Sequence, residues 1–196
     1  MQRGGAQWNP PCRCRADWQA DGLGRNLMLR INVSPTLLYE PAFVEKAEHI
    51  RRRTSVDGPS VGIEITERED TDFDTTVTTV RGLKRLGVQV GIGSCGTYNG
   101  SIKIVQRLPV DSLEVDRAFV QRLNSNTEDV AIVRAIIALA TSFGLSVSAV
   151  GVETPEAART LIDLGCYRAR GFLFAPPVTR EETRALIAGE FIVWRM

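Results

Sequence analysis

The sequence contains few of the residues on which thiol and imidazole chemistry depend. Its 196 residues include one histidine, His49, and four cysteines, which are Cys12, Cys14, Cys95 and Cys166. Cys12 and Cys14 are too close for an ordinary disulfide, and no C-x-x-C pair suggests a zinc site or a redox-active dithiol. We expect His49 to lie on a helix, solvent-facing or packed, because it has no cysteine nearby and no second imidazole to work with.

Charge of one sign and long apolar runs are also missing. The chain has 24 basic and 23 acidic side chains and a net charge of +1, which excludes broad electrostatic capture of nucleic acid or of an anionic membrane. No apolar run approaches the ~20 residues that span a bilayer, and the polar start lacks the apolar stretch of a signal peptide. We therefore expect a cytoplasmic protein with no nucleic acid and no membrane among its partners.

The chain has an ordinary globular composition, with 43% hydrophobic residues and a length that suits one domain. Short apolar runs alternate with longer amphipathic stretches, which predicts an α/β fold with a parallel sheet, either doubly wound or a (β/α) barrel. Residues 1–26 are predicted to be a poorly ordered lead-in with one helical turn near Trp18, and residues 27–196 the domain. The predicted strands are 27–33, 61–65, 88–92, 112–115, 145–150 and 169–174. The predicted helices are 36–52, 74–86, 128–143, 155–164 and 180–188.

Polar side chains lie near or just after the carboxyl ends of several of these strands, at the sheet edge where ligands bind in such folds. Four of them carry oxygen donors suited to a hard cation such as Mg²⁺. They are Asn32, Glu64, Asp116 and Glu153. Acidic residues at strand ends also cap helices, and Glu67 beside Arg68 would form a surface pair, so the pattern alone leaves both interpretations open.

A glycine-rich segment, Gly91 to Gly96, matches G-x-G-x-x-G directly after a predicted strand, and Asp116 follows twenty residues later. This spacing is typical of a dinucleotide-binding fingerprint and would fit an NAD-dependent oxidoreductase. Against it, residues 98–101 make a poor helix start, whereas a bound pyrophosphate needs a firm helix N-terminus.

The chain from about residue 29 to residue 177 resembles the bacterial EAL domain, a family of cyclic di-GMP phosphodiesterases with a TIM-like barrel. The matching segments occur in the family's order. They are RINVSP (30–35), IEITE (63–67), LGVQVGIGSCGTYNGSI (86–102), LPVDSLEVDRAFV (108–120) and the stretch 131–177. Within this resemblance the glycine run is a substituted form of the family's acidic motif.

The resemblance implies hydrolysis of cyclic di-GMP with two divalent cations, Mg²⁺ or Mn²⁺, which activate a water and neutralise the phosphodiester charge. Asn32 matches the family's asparagine ligand and Glu64 its glutamate ligand. Glu67 matches the glutamate that steadies a loop beside the site, and Asp116 and Glu153 match acidic family positions.

The departures from the family pattern begin at its D-D-F-G-T-G motif. The two adjacent aspartates are replaced by Gly93 and Ser94, and the phenylalanine is replaced by Cys95. Loss of both aspartates removes two carboxylates from the family's metal site. We therefore expect Asn32, Glu64 and their acidic neighbours to be vestigial, with no metal bound.

Three further departures change charge or hydrogen bonding. The lysine of the family's L-K-x-D is Glu114, the first glutamate of its A-E-G-V-E-T is Val150, and the glutamine before its glycine–aromatic pair is Arg170. The segment that bears the E-A-L motif is absent from the sequence. We accordingly predict a TIM-like barrel that is incomplete at its amino-terminal end, since a complete one takes ~250 residues.

These departures predict a degenerate, non-catalytic EAL-like protein that acts as a regulatory or protein-interaction module. The alternatives are a sensor that binds cyclic di-GMP weakly without hydrolysis and a residual phosphodiesterase. Because a barrel without its first strands has open edges, we also expect a homodimer or an unknown protein partner.

Overall fold

The computed structural model describes residues 9–24, 27–66, 72–96 and 101–189. Its strands are β1 (Leu29–Val33), β2 (Val61–Thr66), β3 (Gln89–Cys95), β4 (Ser112–Val115), β5 (Ser146–Val150) and β6 (Ala169–Arg170). Its helices are α1 (Asn9–Ala20), α2 (Pro35–Leu38), α3 (Phe43–Thr54), α4 (Phe73–Arg85), α5 (Ser101–Arg107), α6 (Arg117–Val120), α7 (Thr127–Ser142), α8 (Pro155–Asp163) and α9 (Arg180–Ala188). No helix in these ranges has the length and apolar character needed to cross a membrane.

The strands form one sheet in chain order, from β1 to β6. β1 pairs with β2, β3 with β4, β4 with β5 and β5 with β6, each in parallel. Doubly wound sheets reverse their strand order at a switch point, whereas (β/α) barrels keep chain order. The observed order therefore favours the barrel pattern and shows that the dinucleotide-fold interpretation of Gly91–Gly96 was wrong.

The chain divides into two compact units. The first unit contains α1, β1, α2, α3, β2 to Ile65, α4, the start of β3 and α9; the second contains β3 from Gly91 onward and the elements from α5 to β6. In the first unit α1 packs on α3 and β1, and α4 packs on α2 and α3. All residues of β2 up to Ile65 are buried, as expected for a strand with both faces covered.

Helix α4 begins at a side-chain cap formed by Asp72. The Asp72 carboxylate accepts hydrogen bonds from the backbone N–H groups of Asp74 and Thr75. Hydrogen bonds from Thr75 lower the pKa of Asp72, because they favour the charged form. The backbone N–H of Asp72 in turn donates to the Tyr39 hydroxyl at 2.9 Å.

In the second unit, every residue of β4 is buried, and α7 packs against β4 and β5. Asn126 caps α7 by accepting from the Glu128 N–H, and the Asp129 carboxylate pairs with Arg122 at 2.7 Å. Gly171 follows β6 at a position where a side chain cannot fit, because an added Cβ would lie 2.1 Å from the Val152 carbonyl oxygen.

Two predicted elements were wrong in extent at the amino-terminal side. The single turn near Trp18 is part of the twelve-residue helix α1, whose Cys12, Arg15 and Trp18 are buried at helical spacing. Pro10 and Pro11 occupy the first turn of α1, where a missing N–H costs nothing. The predicted helix 36–52 is two helices, because Pro41 lacks a donor and keeps the preceding residue out of the helical region.

Two strands differ from prediction by more than two residues at one end. β6 has two residues rather than six, because the chain turns from Gly171 onward. β3 extends to Cys95, three residues beyond the predicted end. The predicted position of His49 on a helix is confirmed, and of the two surroundings expected for it the solvent-facing one is found, since it is exposed on α3.

Candidate functional site

Glu64, the first candidate metal ligand, is a buried acid in the first unit. Its side chain is 2% exposed, and the Arg30 Nη1 atom lies 2.9 Å from its Oε1 atom. Arg30 is itself only 21% exposed. The carboxylate that the sequence offers for a metal therefore already has a cationic hydrogen-bond partner.

Asn32 lies next to Glu64 in the sheet. The parallel register places Asn32 opposite Glu64 and Arg30 opposite Gly62. Because side chains alternate along a strand, Arg30 and Asn32 lie on the same face of β1. Asn32 is exposed, whereas Glu64 is buried. Glu67, the other acid of this segment, lies outside the described residues.

The end of β3 carries the substituted acidic motif in the second unit. The register between β3 and β4 shifts between Ile92 and Cys95, so that Gly93 and Ser94 form a bulge. Ser94 has a φ of 56°, in the left-handed region where a side chain costs roughly 1–2 kcal/mol. Backbone strain of this kind clusters at functional sites, and here it coincides with the position of the family's paired aspartates.

Two other substituted positions contact each other. The Arg170 Nη2 atom lies 2.8 Å from the Glu114 Oε1 atom, and the two side chains are 47% and 7% exposed. Glu114 lies on β4 opposite Ser148, and Arg170 lies on β6 opposite Val150, so the ion pair reaches across β5. The negative charge at the family's lysine position is thus matched by a positive charge at the family's glutamine position.

The remaining acids have local partners. The Asp116 carboxylate accepts from the Ala118 N–H at 2.8 Å and caps α6. The exposed Glu153 accepts from the Gln121 side-chain amide at 2.9 Å. The alternative that such acids cap helices or pair at the surface therefore describes both of them.

The described residues do not fit the pair of divalent cations that the family resemblance implies. Gly93 and Ser94 offer no carboxylate, and Glu64 already bonds a guanidinium. Hard cations need several oxygen ligands, with carboxylates supplying most of the charge. Within the described ranges, no group of three or more His, Cys, Asp and Glu side chains is placed to hold a metal ion.

The sequence reasoning missed Arg30 altogether and did not connect Glu114 with Arg170. A signal for Arg30 was present, because a basic residue two positions before Asn32 on a strand expected to be buried needs an acidic partner. No signal could pair Glu114 with Arg170, because residues 56 positions apart meet only through the strand order.

Comparison with known proteins identifies the family. Residues 12–177 match the EAL domain model, so the chain belongs to the EAL domain family. An uncharacterized protein of Mycobacterium tuberculosis is 43% identical over 178 residues, which is 90% of this chain and 29% of that protein. MucR of Pseudomonas aeruginosa, a bifunctional diguanylate cyclase/cyclic di-GMP phosphodiesterase, is 31% identical over 90% of this chain and 26% of its own length. The chain thus spans under a third of these relatives.

Solved structures confirm the fold. The crystal structure of the EAL domain of Mycobacterium smegmatis DcpA matches with a TM-score of 0.89 and 45% identity, over 94% of this chain and 83% of that one. The MucR phosphodiesterase in complex with cyclic di-GMP matches with a TM-score of 0.87 and 30% identity, over 93% and 74% of the two chains. The predicted α/β fold of TIM-like type is therefore confirmed, and the chain is an EAL domain.

Proposed function

We propose that this EAL domain is non-catalytic and serves as a regulatory or protein-interaction module in cyclic di-GMP signalling. The observation that carries the proposal is the ion pair between Glu114 and Arg170. Both are substitutions at positions that the family resemblance assigns to its reaction site. Each side chain neutralises the charge of the other, so an ion pair occupies the place of the family's lysine.

The change at residue 114 bears directly on the chemistry. A lysine beside a phosphodiester adds a positive charge that stabilises the developing anion in the transition state. Glu114 reverses that charge, and its 7% exposure keeps the acid inside the protein. At Gly93 and Ser94 the two carboxylates of the family's paired aspartates are missing. Groups that act as a unit in a site are non-additive, so the loss of several removes most of the activity.

The proposal is tested by incubating the purified chain with cyclic di-GMP and either Mg²⁺ or Mn²⁺ and separating the products by chromatography. We expect no linear dinucleotide above the level given by the Glu64→Ala variant. Turnover that is present in the wild type and lost in Glu64→Ala would show a residual phosphodiesterase and would overturn the proposal.

A second candidate is a sensor that binds cyclic di-GMP without hydrolysing it. It is supported by Arg170, whose side chain is 47% exposed beside the Glu114 carboxylate, since arginine forms strong hydrogen bonds to phosphate. MucR, a similar protein, has been solved with cyclic di-GMP bound. Calorimetry decides between the candidates: saturable binding that weakens in Arg170→Ala supports the sensor, and no heat supports the interaction module.

A further inference from the structure

The site around Glu64 contains a charge pair that the proposed function does not use. Arg30 on β1 and Glu64 on β2 are neighbours in the first unit, with 2.9 Å between Nη1 and Oε1. A buried carboxylate is unfavourable unless it is paired and hydrogen-bonded. At 2% exposure, the Glu64 carboxylate is stabilised by such a partner.

Arg30 is well suited to be that partner. A guanidinium stays protonated at every pH at which the protein folds, and its fixed fork of donors matches a carboxylate. Its position on the same strand face as Asn32 is fixed by the register of β1 with β2. The positive charge is therefore part of the sheet and does not depend on ions in solution.

A divalent cation at Glu64 would have to share the carboxylate with this guanidinium. Two positive charges a few ångströms apart repel each other, and the repulsion is stronger at a buried site than in water. A metal would also have to displace a charge-assisted hydrogen bond that the fold already provides. The arrangement thus favours the arginine over a metal at this carboxylate.

We propose that Arg30 is a built-in cation that takes the place of a divalent ion at Glu64 and excludes metal from that carboxylate. The inference rests on the proposed non-catalytic function and names the residue that makes Glu64 unavailable. Arg30 is a positioning residue here, because it acts on Glu64 and not on a substrate.

The test is Mn²⁺ binding to the full chain, measured by the loss of the free-ion electron paramagnetic resonance signal. We expect the wild type and Glu64→Gln to bind Mn²⁺ equally weakly. We expect Arg30→Ala to bind at least tenfold more tightly, and the double variant Arg30→Ala/Glu64→Gln to lose that gain. Arg52→Ala, which removes an exposed arginine paired with Glu48, is the matched control and should bind as the wild type does.

The outcomes separate the two proposals. Wild-type Mn²⁺ binding that is lost in Glu64→Gln would overturn this inference, as would a folded Arg30→Ala variant with no gain in affinity. If Arg30→Ala does not fold, the comparison of wild type with Glu64→Gln still decides. Arg30→Lys, which keeps the positive charge, should fold and bind no more Mn²⁺ than the wild type. Hydrolysis of cyclic di-GMP would overturn the proposed function, whereas Glu64-dependent Mn²⁺ binding without hydrolysis would overturn the inference alone.

Discussion

At the scale of single residues, buried acids of this chain are matched with arginines that reach toward solvent. Glu64 and Glu114 are 2% and 7% exposed, and their partners Arg30 and Arg170 are 21% and 47% exposed. The carboxylate is buried, and the arginine neutralises it while its own side chain stays partly exposed to water. Removing one partner is costly because it leaves the other charge buried and uncompensated.

The first prediction concerns the coupling between Glu114 and Arg170. Glu114→Lys places a cation beside Arg170 and should lower the free energy of unfolding by about 3 kcal/mol or more. Arg170→Gln should cost about 1–2 kcal/mol, because this arginine is half exposed and solvent screens the pair. The double variant Glu114→Lys/Arg170→Gln restores the family's two residues and should be more stable than Glu114→Lys alone.

Urea denaturation of the four proteins gives the coupling, which we expect to exceed about 1 kcal/mol. The exposed pair of Arg52 and Glu48 on α3 is the matched control, with an expected coupling of about 0.5 kcal/mol or less. Additive effects of the changes at 114 and 170 would mean that the ion pair contributes nothing to the folded state.

The second prediction uses two glycines with similar backbone angles and different surroundings. Gly144 and Gly151 have φ values of 67° and 81°. A Cβ at Gly144 meets nothing within 4 Å, whereas one at Gly151 would lie 2.6 Å from the Arg117 Cβ. Gly144→Ala should cost about 1 kcal/mol from backbone strain alone, and Gly151→Ala at least about 1 kcal/mol more. Equal losses in thermal or urea unfolding would contradict the packing at Gly151.

Most residues of the candidate site could be located from the sequence, but their contacts with one another could not be predicted. Asn32 and Glu64 lie near the carboxyl ends of predicted strands and Asp116 follows one. The structure places them there, because apolar runs and strand ends are local signals. The partners of these residues are set by register and strand order, which the sequence does not state. Arg30 was therefore overlooked, and Arg170 was considered only as a substituted position.

At the scale of elements, most helices and strands could be predicted because their ends carry local chemical signals. α8 follows the cap Thr154 and begins at Pro155, and α9 occupies residues 180–188 as expected from Thr179 before it and Gly189 after it. α1 was missed because its two prolines suggest a break, although they suit the first turn of a helix. Its burial of Cys12 and Trp18 depends on contacts with distant residues.

The third prediction concerns the stability of the protein at alkaline pH, which depends on the Cys12 thiol buried by α1. Burial raises the pKa of the Cys12 thiol to about 11 from an ordinary value of 9.0. The unfolded chain therefore loses this proton at lower pH than the folded chain, and stability falls as the pH rises from 9 toward 11. The loss from this thiol should reach about 2–3 kcal/mol at the upper end. Cys12→Ala should show a smaller alkaline loss.

Other groups also titrate in this range, so the slopes of stability against pH are compared rather than absolute values. Cys14→Ala is the matched control, because Cys14 lies on the same helix and is only half-buried. It should keep the alkaline slope of the wild type. If Cys12→Ala shows the same slope as Cys14→Ala, the Cys12 thiol does not titrate as its burial requires.

At the scale of the whole molecule, chain order along the parallel sheet and a TM-score of 0.89 to the DcpA domain establish an EAL fold. The fold could be predicted from the sequence, because motifs in family order cover most of the chain. Fold and activity are separate matters, since activity depends on a few side chains carried by the fold. The proposed lack of catalysis therefore has to be tested at the site.

The fourth prediction is that the chain associates with a second copy of itself, as we expected from the sequence. Tyr167 and Phe172 flank β6 and are 79% and 65% exposed. Exposed aromatic residues beside a strand at the end of the described sheet favour pairing with another chain. Light scattering should show a molar mass that rises with concentration, and less so in Tyr167→Ser/Phe172→Ser. Phe143→Ser, at an aromatic 48% exposed beyond α7, should behave as the wild type. A monomer at every concentration would contradict this prediction.

The central claim is that this EAL domain does not hydrolyse cyclic di-GMP, and a single-turnover measurement tests it most directly. Protein in excess over labelled cyclic di-GMP, with saturating Mn²⁺, reveals even one slow cleavage per site and does not depend on product release. We predict that the label stays in the cyclic form with wild type, as it does with Glu64→Ala. Conversion to the linear dinucleotide by wild type, absent with Glu64→Ala, would contradict it.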